Sequence, residues 1–125
     1  MKKLFYMCLL FCLTLGGKLY GQQSVWDGVS SDKSWYDESQ QNYYLMTAAQ
    51  LKGLADLTNI DKLTFENKTI YLDCDIDLGG FLWTPIADYV SPNDTPEFKG
   101  TFNGQNHSIT NRYVSSETNP YNNSI

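Results

Sequence analysis

Three aspartates alternate at Asp73, Asp75 and Asp77. On a strand, alternate residues share one face, so the three carboxylates would form a row of oxygen donors. Such a row could hold Ca²⁺, which takes oxygen ligands, and it is the metal candidate that the chain offers. The Asp-x-Asp-x-Asp-Gly loop of an EF-hand is missing, and so is a glycine-rich nonapeptide array. Alternating acids more often form a solvated strand face, or accept backbone N–H groups at turns. His107 is the only histidine. A histidine metal site would need partners that the chain lacks. A Ser-His-Asp assembly would have to use Ser108 or a distant serine, and no nucleophile-elbow motif is present. His107 therefore reads as a turn residue making local hydrogen bonds. Paired carboxylates for glycoside hydrolysis stay open, because acids are plentiful. These residues assign no catalytic or cofactor-binding group.

Cysteine and tryptophan are the remaining chemistry-bearing types. Cys8 and Cys12 fall within an apolar N-terminal run, which leaves Cys74 as the one cysteine of the mature chain. One cysteine cannot form an internal disulfide. Asp73 and Asp75 flank it, which would raise a thiol pKa, so Cys74 reads as a structural strand residue. Trp26 and Trp35 stand isolated in a polar stretch. They could stack on sugar rings. Without an accompanying polar cluster, packing over one end of the core is the better reading.

The elements that must position these groups begin after an export signal. Lys2 and Lys3 precede an apolar run over residues 4–15, followed by Gly16, Gly17, Tyr20 and Gly21. The run is too short to span a bilayer, and the small residues suit a signal peptidase, so 1–21 is expected to be a cleaved signal peptide and the product secreted or displayed at the cell surface. About 104 residues remain, enough for one small domain with a marginal core. Loss of Lys2, Lys3 and Lys18 takes the formal charge from −5 to about −8. An acidic, dispersed surface argues against nucleic acid and anionic membrane partners.

Residues 22–42 form a polar lead-in. A β-prone run at 43–45 is followed by a helix over 47–59. Thr47 is its N-cap, Gln50 completes a capping box, Ala48, Leu51, Leu54 and Ala55 form an apolar stripe, and Asn59 is the C-cap. Gly53 should weaken this helix by about 1 kcal/mol. Residues 69–72 and 76–78 read as extended, and 90–97 as a loop. Residues 98–102 and 108–114 are two strands around a turn at 103–106, with Gly100 and Gly104 at the bends. The tail, 115–125, is polar and aperiodic. Short strands and one helix predict a mostly β domain over 43–114.

Four segments in order carry a resemblance. They are TAAQLKGLA at 47–55, KTIYLDCDIDL at 68–78, the Trp83-x-Pro85-Ile86 block, and FKGTFNGQNHSITN at 98–111, with Phe98, Gly100, Phe102, Gly104, His107, Ile109 and Asn111 at its recurring positions. Together they resemble the N-terminal region of bacterial secreted and cell-surface proteins with GLUG-type repeats. The resemblance implies the start of a right-handed parallel β-helix, with the helix as its N-terminal cap and Phe98, Phe102, Ile109 and Val114 pointing into its core. Stacked rungs bury their apolar faces only against neighbours. The chain departs from the pattern in lacking a Gly-Leu-Phe-Gly element and in carrying Arg112 at a usually apolar position. With a single rung, the chain reads as a fragment or a short relative of longer repeat proteins. The functional expectation is a non-catalytic, exported adhesion-type protein binding glycans or surface glycoproteins. The alternative is the non-catalytic N-terminal part of a polysaccharide lyase or hydrolase, or of a surface peptidase.

Overall fold

The computed structural model describes residues 25–115. The expected signal peptide (1–21) and all but the first residue of the polar tail lie outside them. The elements are β1 (Asn42–Leu45), α1 (Ala48–Asn59), β2 (Thr69–Leu72), β3 (Ile76–Asp77), β4 (Thr101–Asn103) and β5 (Ile109–Thr110). β1, β2 and β4 form one sheet in that order, and β3 pairs with β5 in a second. Every pairing between these strands is parallel. Tyr43 lies opposite Ile70, Ile70 opposite Phe102, and Ile76 opposite Ile109. Parallel neighbours need a long connection. Between β1 and β2 that connection contains α1.

These sheets correct the fold expected from sequence. The right-handed parallel β-helix is not formed. The strands are two to four residues long and fall into two small sheets, neither closed nor curled into a coil. At 12 residues, α1 is three times the length of the longest strand and contributes much of the core, so a mostly β description also fails. The physical reason lies in the strands themselves. Runs this short bury at most two side chains each, and a helix must supply the rest. The stretch over 98–111 is likewise not a local strand–turn–strand pair. β4 joins β2 while β5 joins β3, in different sheets.

Local chemistry explains α1. The Thr47 hydroxyl accepts the Gln50 N–H at 3.1 Å. Gln50 returns the favour one residue earlier than a standard capping box, accepting the Met46 N–H at 2.8 Å. The helix ends at Ile60, whose N–H reaches the Asp56 carbonyl at 2.8 Å. Asn59, expected as the C-cap, does something else. Its amide donates to the Pro85 carbonyl at 2.8 Å and accepts the Asp88 N–H at 2.9 Å.

The core is continuous across both sheets and the helix. Alternation buries Ile70, Leu72, Cys74, Ile76 and Leu78 from one extended run, with Leu51, Leu54 and Ala55 facing them from α1. Trp83 is 1 % exposed and lies at the centre of this apolar mass. Gly53 has a packing reason that outweighs its propensity cost. A Cβ there would lie 2.1 Å from the Asp32 carbonyl oxygen. The lead-in crosses the helix at that point, tied by the Asp32 N–H to the Ala49 carbonyl at 2.8 Å.

Candidate functional site

The acidic row is built by the 73–78 run, whose alternation turns Leu72, Cys74, Ile76 and Leu78 inward and leaves the aspartates between them facing out. Each aspartate engages the segment that lies alongside it. Asp73 accepts from the Gln105 amide at 3.1 Å. Asp75 Oδ1 accepts the Ser108 N–H at 3.0 Å and lies 3.2 Å from His107 Nδ1. Asp77 Oδ1 accepts the Asn111 amide and the Gly79 N–H, both at 2.8 Å. Backbone bonds run in step with these contacts, from the Ile76 N–H to the Ser108 carbonyl and from the Leu78 N–H to the Thr110 carbonyl, each at 2.9 Å.

Electrostatics separate the three carboxylates. The Ser108 N–H and His107 hold Asp75 below the usual carboxylate range, and the Asn111 amide and Gly79 N–H do the same for Asp77. Asp73 is pushed up, because partial burial outweighs the bond from Gln105. Among the described residues, no three His, Cys, Asp or Glu side chains are grouped to hold a metal ion. The row works as a polar zip between two parallel segments.

The remaining motif residues fall into place around it. Pro85 is buried and is held through its carbonyl by Asn59. Phe98, Phe102, Ile109 and Val114 pack against the core while staying partly exposed. Gly100 sits where a Cβ would come within 2.7 Å of the Phe65 carbonyl oxygen, so close approach of two segments requires it. Gly104 opens the turn, its carbonyl accepting the His107 N–H at 2.8 Å, without a left-handed φ of its own. The left-handed residues are Gln105 and Asn106, at φ 51° and 62°, with the Asn103 carboxamide accepting the Gln105 N–H at 3.0 Å. Asn111 is also left-handed, at φ 55°. Cys74 is buried on the inward face of the run.

The lead-in tryptophans do pack. Trp26 is 8 % exposed and meets Trp83 edge-on at 6.0 Å and Phe81 at 6.2 Å. Its indole N–H donates to the Ser30 carbonyl at 2.9 Å. Trp35 stacks over Phe65 and packs edge-on against Tyr43, and its indole N–H donates to the Gln50 carbonyl at 3.3 Å.

A half-open cavity of about 460 Å³ lies between the lead-in, the first turn of α1, and the β3–β5 pair. Its walls include Trp26, Asp27, Ser30, Met46, Thr47, Asp75, Asp77 and Thr110. Asp27 accepts the Ser30 hydroxyl and the N–H groups of Ser30 and Val29, which take its pKa down to about 2. Sequence reasoning singled out two of these carboxylates and the indole, yet did not bring them together. The joining signal is the WDG turn at 26–28, which returns the lead-in against the helix N-terminus.

The chain matches no family model, no curated protein and no solved structure. No helix of the described residues is long and apolar enough to cross a membrane.

Proposed function

We propose that this chain is a non-catalytic binding module of an exported, surface-associated protein, and that its ligands are glycans or glycoproteins. The observation that carries the reading is how the reactive side chains are used. Asp75, Asp77 and His107 hold one segment against its neighbour through hydrogen bonds. A group fixed in this way contributes architecture, and the surface around it is what the domain presents. The apolar leader with its small-residue boundary supports export, and the ordered segments that resemble those of GLUG-type surface proteins support display at a cell surface. The formal charge of the chain, −5, favours neutral partners over polyanions. The test has two arms. The exported protein is applied to a glycan and mucin array, where binding is expected. It is also incubated with a panel of polysaccharides and protein substrates, where no released product is expected. Oligosaccharide or peptide release would replace this reading with the enzymatic one.

A further inference from the structure

We infer that the cavity between the lead-in and the first turn of α1 is a subsite for one neutral sugar unit, a reading that rests on the glycan-binding function proposed above. The cavity is about 460 Å³, within the range of small-molecule sites. Its polar groups are of both kinds. Asp75 and Asp77 line it, and the bonds of Asp77 to Asn111 and Gly79 both fall on Oδ1, which leaves its Oδ2 to accept from a hydroxyl. Ala48 and Ala49 line the opposite side as the first residues of α1, where backbone N–H groups have no intrahelical acceptor and can donate. Trp26 supplies an apolar wall, fixed in orientation by its bond to Ser30 and its edge contact with Trp83. Hydroxyl groups are both donors and acceptors, and a pyranose has an apolar C–H face. That combination matches acceptors, donors and an aromatic edge converging on one space.

Charge selects among sugars. Among the described residues, three carboxylates line the cavity, and no Lys, Arg or His does. Uronic and sialic acids would meet like charge, so neutral hexosides and N-acetylhexosaminides are the favoured class.

The experiment uses the exported protein with methyl glycosides of glucose, galactose, mannose, N-acetylglucosamine and glucuronic acid, observed by saturation-transfer NMR and titration. At least one neutral glycoside should bind, with the glucuronide weaker. Thr110→Tyr, at an exposed position on the cavity rim, should abolish that binding, and Asp77→Asn should weaken it about tenfold, the loss expected for a hydrogen bond to a charged group. Thermal unfolding of Thr110→Tyr should match the parent within the small change expected of an exposed position, whereas Asp77→Asn also weakens the zip and should lower it modestly. Array binding that survives Thr110→Tyr would overturn this site while leaving the binding function standing. If no glycan binds in either assay, both readings fall. Spermidine binding the cavity more tightly than every neutral glycoside would overturn the sugar assignment in favour of a cationic ligand.

Discussion

Around α1 the apolar side chains are sealed, with Leu45, Leu51, Leu54 and Ala55 all 0 % exposed. Across the molecule, in the 98–114 segment, Phe98, Phe102, Ile109 and Val114 pack on the same core but remain partly exposed. The difference follows from what covers each layer. The first has a helix laid across it and a lead-in strapped over the helix. The last has edge strands, β4 and β5, and its attachment relies on carboxylate and backbone hydrogen bonds to the 73–80 run. One region is held by area removed from water, which is insensitive to pH. The other depends on charge-assisted bonds at the surface, which are not.

This contrast can be broken at either end. The largest effect belongs to Leu54→Ala, which opens a cavity under the helix and should cost about 2–5 kcal/mol in urea unfolding. A cost similar to that of a surface change would mean that the helix end is not sealed. Gly53→Ala comes next. Ordinary helix propensity favours alanine, but the new methyl would collide with the Asp32 carbonyl, so a loss of about 1–3 kcal/mol is expected in place of a gain. Stabilisation by this substitution would show that the lead-in does not cross there. Phe102→Ala removes a ring that is already partly exposed, and should cost about 1–2 kcal/mol, less than Leu54→Ala. The reverse order would undo the comparison between the two regions.

The smallest effect is the most specific. Asp75 and Asp77 have folded pKa values below those of the unfolded chain. Their contribution is present above the unfolded value, about 3.9, and is lost as pH falls through the folded values. Asp73 is raised, so its contribution has the opposite sign and grows on acidification. Asp27 and Asp37 are lowered as well by their serine partners, so four lowered groups against one raised group predict a lower urea midpoint at pH 3 than at pH 6. Amide exchange in the 101–113 region should accelerate before exchange in α1. An Asp75→Asn, Asp77→Asn double variant should reduce the dependence and remove the early exchange of the 101–113 region, leaving the part due to Asp27 and Asp37. Equal acid sensitivity of both regions would show that the polar zip does not distinguish them.

Much of the local structure was legible. The helix over 48–59 follows from Thr47 and the Ala48, Leu51, Leu54, Ala55 stripe, and β2 from the β-branched and aromatic run at 69–72. The fold class was not legible, because the motifs at 68–78 and 98–111 report which short segments lie alongside each other and not whether their sheets close. The role of Asn59 was hidden for a related reason. Its type suits a C-cap, and only the approach of residues 85–88 reveals a longer-range use. At the site, the alternation of Asp73, Asp75 and Asp77 was visible, while the groups opposite them are 32 to 34 residues away and have no local signature. The cavity was the least legible feature, since it joins the lead-in, the helix start and two strands that only the tertiary fold brings together.

Asn59 also constrains what evolution can write at that position. It offers one donor and one acceptor at the same time, to Pro85 and Asp88. Aspartate would keep the acceptor and repel the carbonyl, leucine would keep the volume and satisfy neither group, and glutamine would overreach by a methylene. Among variants of this chain that retain the fold, position 59 should accept a far narrower alphabet than the exposed positions beside it.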